Sequence, residues 1–125
     1  MTNSKAIHWF RQDLRLSDNP SLHHASKNDH VLPVYILDNE NSGDFSMGGA
    51  SRFWLHHSLK SLNENLNNNL SLYQGDPLKA LLDIIDRNNI TAVYWNRCYE
   101  PWRIKRDTEI KSALEAKGIS VFTYN

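Results

Sequence analysis

Five apolar runs of strand length alternate with four segments bearing helical signals, and that alternation constrains this 125-residue chain more than any other feature. The runs are 6–10 (Ala-Ile-His-Trp-Phe), 31–37 (Val-Leu-Pro-Val-Tyr-Ile-Leu), 70–73, 92–95 and 119–122. The second is apolar throughout, which predicts a strand buried on both faces. Its Pro33 has no backbone N–H and argues against a regular ladder at mid-strand. Between the runs, Asn19-Pro20 and Asp76-Pro77 each put a side-chain acceptor at a helix cap and proline at the first helical position. Leu78, Leu81, Leu82 and Ile85 then recur at helical spacing, as do Leu55, Leu59, Leu62 and Leu66 on a helix over 50–67. A fourth helix over 102–117 ends at Gly118, the residue type that a left-handed cap favours.

This pattern predicts a single α/β domain: a Rossmann-like, doubly wound, five-stranded parallel sheet with helices on both faces. The irregular stretch 39–49, rich in Asn, Ser, Gly and Asp, follows the second strand. It falls at the edge where open sheets of this kind take their ligands. The fifth strand closes at Tyr124, and Asn125 reads as a boundary within a longer protein.

Bulk properties narrow the function by exclusion. Lys plus Arg and Asp plus Glu both number 14, so no global field steers the domain toward nucleic acid. Cys98 is the only cysteine, which rules out a disulfide within the chain and a cysteine-based zinc site, and fits a reducing compartment. No apolar run reaches the roughly 20 residues that span a bilayer. The expectation is a cytoplasmic protein with neither membrane nor metal partners.

Catalytic and phosphate-binding motifs are scarce. No G-x-G-x-x-G or Walker-type loop follows the first strand, and Gly48-Gly49 alone is weak evidence for an anion site. His23-His24 and His56-His57 are adjacent pairs, whereas helical metal ligands want i, i+4 spacing. Cys98 has no sequence neighbour that would stabilise a thiolate and reads as a small buried filler. Ser17, Ser46 and Ser51 lack a nucleophile-elbow context, so no catalytic residue is expected here.

Three segments at the carboxyl edge of the expected sheet remain: 11–18, 38–52 and 96–103. They combine guanidinium groups, carboxylates, an amide and large aromatics, a mixture suited to a flat conjugated ligand. The competing reading of Arg11-Gln12-Asp13-Leu14-Arg15 is a loop of mutually paired ions, and Phe53 and Trp54 read as core.

Three blocks carry a family resemblance. Trp9-Phe10-Arg11-Gln12-Asp13-Leu14-Arg15-Leu16 with Asp18-Asn19-Pro20 comes first. Gly49-Ala50-Ser51-Arg52-Phe53-Trp54-Leu55 with Ser58-Leu59 follows, and then Tyr94-Trp95-Asn96-Arg97, Tyr99-Glu100-Pro101 and Arg106-Asp107. In order and spacing the chain resembles the N-terminal domain of the DNA photolyase/cryptochrome family. That resemblance implies an antenna-binding α/β domain, holding methenyltetrahydrofolate or, alternatively, a deazaflavin. A helical C-terminal domain, absent from this sequence, would bind FAD and damaged DNA. The full-length protein would then be a deoxyribodipyrimidine photo-lyase that splits cyclobutane pyrimidine dimers with light, and this part alone would be inactive. The antenna residues it suggests are Phe10 and Met47 as faces, Arg11 and Arg52 as donors, and Asp38, Asn96 and Glu100 as polar partners. Some folate-binding members of the family carry Asn-Glu where this chain has Trp102-Arg103, and deazaflavin binders often carry an acid in place of Cys98. A cryptochrome-type photoreceptor and a free-standing nucleotide-binding module are the alternatives.

Overall fold

A computed structural model describes residues 4–11, 16, 19–37, 49–97 and 101–124, with backbone alone for 49–54. Its elements run β1 (Lys5–Phe10), α1 (Pro20–Ala25), β2 (His30–Leu37), α2 (Gly49–Asn65), β3 (Ser71–Gln74), α3 (Pro77–Asn88), β4 (Ala92–Asn96), α4 (Pro101–Ala116) and β5 (Ser120–Tyr124). All strand pairs are parallel, in the order β3-β2-β1-β4-β5. The first two crossovers therefore travel one way across the sheet and the last two the other way. Right-handed connections then put α1 and α2 on one face and α3 and α4 on the opposite face.

Side-chain parity confirms the two layers. Ile7 and Trp9 of β1, Val34 and Ile36 of β2, Val93 and Trp95 of β4 and Val121 of β5 form the larger core. Leu81, Ile84 and Ile85 of α3 and Ile110 and Leu114 of α4 cover it. The opposite face packs Ala6, Ala92 and Tyr94 against Ala25 of α1. Small residues at these contacts let the six-residue α1 sit close to the sheet.

The expected helix ends are all present. Asn19 Oδ1 accepts from the Leu22 amide and Asp76 Oδ2 from the Lys79 amide, with proline next in each case. Gly118 has φ +84°, and the amides of Gly118 and Ile119 donate to the carbonyls of Glu115 and Leu114. That pair of bonds satisfies the last orphan carbonyls of α4. Asn89 plays the same left-handed part after α3, at φ +55°.

The second strand departs from expectation. Only Val34 and Ile36 are fully buried, while Val31, Leu32, Pro33, Tyr35 and Leu37 are half-exposed. For Val31, Pro33, Tyr35 and Leu37 the reason is positional, since α1 on their face packs mainly on β1, β4 and β5; Leu32 is partly buried against the opposite core. Pro33 is accommodated inside the strand. The His30 amide donates to Ser4 of the β1 side, and the Leu37 carbonyl accepts from Gly75 past β3. Even-numbered residues of β2 thus bond toward β1 and odd-numbered ones toward β3. Pro33 turns its missing donor to the β3 side, and the β2–β3 ladder pairs residues only from Val34 and Ser71 onward.

A Cβ added at Gly118 would meet nothing within 4 Å, so the cost of a side chain there is purely conformational. Gly118→Ala should lower stability by roughly 1–2 kcal/mol in urea denaturation. Gly118→Asn should cost clearly less, since asparagine tolerates this conformation at Asn89.

Candidate functional site at the carboxyl edge of the sheet

Strand order reverses its direction of travel between β1 and β4, and the crevice at such a switch point is where open α/β sheets seat ligands. Asn96, the last residue of β4, closes part of it. Its Nδ2 donates to Asn19 Oδ1 at 2.7 Å, and its Oδ1 accepts from the Ser21 amide at 3.1 Å. Asn19 Oδ1 also takes the Leu22 amide, and the Asn19 carbonyl takes that of His23. The first amides of α1, which would cradle a pyrophosphate in a dinucleotide-binding domain, are therefore engaged by side chains and backbone of the protein itself. This arrangement disfavours the nucleotide-module reading.

The other side of the crevice is built on Trp9. Strand alternation sends Trp9 toward α4, and Arg11, two residues on, leaves on the same side. Arg11 lies over the Trp9 ring at 4.4 Å and bonds Asp107 Oδ2 through Nη2 at 2.6 Å. Arg11 is buried and Asp107 partly so, with 4% and 13% of their side-chain surface exposed. Asp107 Oδ1 takes Arg106 Nε at 3.2 Å. Arg106 in turn lies 5.1 Å from both the Trp9 and Trp102 rings, and Arg103 stacks over Trp102 at 4.8 Å. Rings and guanidinium groups thus alternate from the buried Trp9–Trp95 pair out to half-buried Trp102 and Arg103. Each such contact contributes about 0.5–2 kcal/mol, more where water is excluded.

The structure divides the sequence-derived candidates. Phe10 and Asn96 share parity with the α1 face, and Phe10 is wholly buried, with the His8 ring 4.3 Å away at 73°. Arg11 goes to the α4 face and is held by Asp107. Arg52 is the fourth residue of α2, with its side chain outside the described set; Asp38, Met47 and Glu100 lie outside the described residues altogether. So do Ser17, Ser46, Cys98 and most of the 11–18 loop. Among the described residues, no group of three or more His, Cys, Asp or Glu is placed to hold a metal, and no helix is long and apolar enough to cross a membrane.

Two contributors escaped the sequence reading. Asp107 was visible only as half of an Arg-Asp pair, and nothing local identifies Arg11, 96 residues away, as its partner. Tyr35, the ladder neighbour of Phe10, is half-buried. Burial raises its phenol above the ordinary value of 10.0, and the charges of Arg103 and Arg106 offset part of that rise. Its position in an all-apolar strand hid it.

These features define an open, doubly wound α/β domain with an aromatic and cationic carboxyl edge. The DNA photolyase family model matches residues 6–125, and the chain belongs to that family. It is 40% identical over 128 residues to cryptochrome-1 of Sinapis alba, covering 99% of this chain and 26% of that protein. Against the deoxyribodipyrimidine photo-lyase of Agrobacterium fabrum it is 37% identical, covering 100% and 26%. Among solved structures, a class III photolyase from Agrobacterium tumefaciens superposes with a TM-score of 0.91 at 37% identity, covering 99% of this chain and 26% of that one. An archaeal photolyase from Sulfolobus tokodaii, solved with two FAD molecules, gives 0.80 at 30% identity, covering 97% and 29%. The chain spans about a quarter of the length of these relatives.

Two outcomes follow. Asp107→Asn should destabilise the chain, by up to about 3–5 kcal/mol, because it takes a carboxylate away from both Arg11 and Arg106; Arg11→Met combined with Asp107→Leu should cost less than the two single changes summed, read in a double-mutant denaturation cycle. Because the raised Tyr35 value favours the neutral phenol, its contribution is complete below pH 10.0 and is lost as pH climbs through the folded-state value. Stability of Tyr35→Phe should therefore fall less steeply above that pH than stability of the wild type.

Proposed function

We propose that this chain is the light-harvesting domain of a cyclobutane pyrimidine dimer photolyase whose helical FAD- and DNA-binding domain lies outside this sequence. Methenyltetrahydrofolate, with a deazaflavin as the alternative, supplies near-UV or blue absorption and excitation for transfer to FAD. The observation that carries the reading is the family match over residues 6–125 joined to an aromatic and cationic carboxyl edge.

The described residues suit a flat conjugated ligand at their rim, where half-buried Trp102 and Arg103 present a ring under a guanidinium group. Arg52, Asp38, Met47 and Glu100 are the proposed direct contacts. Phe10, Arg11 and Asn96 hold the edge from behind, since each is committed to the interior or to a cap. A domain of this kind performs no bond chemistry itself; it places a chromophore and excludes water from it. The whole protein is proposed to act on damaged DNA in the cytoplasm, taking its lesion out of the duplex.

A photoreceptor reading has its own support, the 40% and 39% identities to cryptochromes of Sinapis alba and Arabidopsis thaliana. The full-length protein decides between them. Light-dependent repair of an oligonucleotide carrying a thymine dimer supports the photolyase; retained flavin without repair supports the photoreceptor. In the same protein, Arg52→Ala should reduce co-purifying folate several-fold with no change in melting temperature. Equal folate content would remove Arg52 from the site.

A further inference from the structure

A cleft of about 320 Å³ opens between α4 and β5, on the α4 side of the sheet and away from Phe10 and Asn96. Buried Trp95 forms its floor, and exposed Ile104 gives an apolar wall. Thr108 of α4 and Thr123 of β5 line it with hydroxyl groups, and Arg97 and Lys111 bring two cations.

The charge balance of this cleft is one-sided. Asp107, the only acid lining it among the described residues, spends Oδ2 on Arg11 and Oδ1 on Arg106, so its charge is used inward. Arg97 donates its Nε to Thr123 Oγ1 at 3.1 Å, which steers the guanidinium group along the β5 wall. Among the described residues, neither Arg97 nor Lys111 has a carboxylate partner. Lys111 is nonetheless half-buried, a placement that removes hydration from an ammonium group without returning a counter-charge.

We propose that this α4–β5 cleft is a binding site for a small ligand that joins an oxyanion, carboxylate or phosphate, to an apolar ring. The oxyanion sits between Arg97 and Lys111 with the two threonine hydroxyls as further donors. The ring lies along Ile104 above Trp95. The volume is at the lower end of ligand pockets, enough for one or two fused rings and not for a dinucleotide. The site is independent of the antenna reading, because none of its residues is a proposed antenna contact.

Equilibrium dialysis of the full-length protein against three probes tests the proposal: 1-naphthyl phosphate, 1-naphthoate and uncharged 1-naphthylmethanol. At least one anion should bind roughly threefold or more tighter than the alcohol, the increment that one or two exposed ion pairs supply. The phosphate-to-naphthoate ratio then identifies the oxyanion. Lys111→Glu should weaken the anions by at least threefold and leave the alcohol unchanged, with Lys111→Gln falling between. Ile104→Asp should weaken all three probes. Equal binding of charged and neutral probes, or anion binding indifferent to both Lys111 variants, would overturn the assignment. Absence of binding by any probe would do the same.

Discussion

One carboxylate holds the two halves of the carboxyl edge together. Asp107 sits near the start of α4 and accepts from Arg11 at the end of β1 and from Arg106 beside it. Without that charge, a guanidinium group with 4% of its surface exposed would sit against the Trp9 ring with this carboxylate lost. The position of Trp102 and Arg103 follows, because both are on the same helix and are stacked in series with Arg106. Among the described residues, this part of the edge is therefore braced by ion pairs and stacking before any ligand arrives. Preorganisation of this kind reduces the ordering that binding would otherwise demand.

Much of the scaffold was legible because its signals are local. Asn19-Pro20, Asp76-Pro77 and Gly118 each announce a helix end within two residues, and all three ends stand where the chain places them. The strands were legible from apolar runs and the layers from their alternation with helical segments. The failure in β2 is instructive: an all-apolar strand signals burial only if helices cover both faces, and α1 leans toward β4 and β5 instead. Coverage is a tertiary fact that no run of residues contains.

The site was less legible for the same reason. Arg11 and Asn96 were chosen for their chemistry, as donor and polar partner to a ligand. The structure gives each of them internal work: Arg11 against Asp107, and Asn96 at the cap of α1. These contacts join residues 96 and 77 positions apart. A sequence shows which groups are available for hydrogen bonding but not which of them are already taken. Tyr35 shows the converse, a polar group concealed in an apolar strand whose ionisation reports on two arginines of α4.

Pro33 carries a consequence for how the sheet tolerates change. Its absent donor faces the β3 side just ahead of the first paired residues, so the ladder between β2 and β3 meets a natural stop there. Pairing upstream of that point would leave a β3 carbonyl without its donor, which disfavours extending the ladder into the chain that precedes Ser71. The turn before it, where Asn67 and Asn68 adopt left-handed backbone angles, is thereby relieved of any duty in setting register. Insertions or deletions in that turn would alter its loop and leave the alignment of the central strands intact.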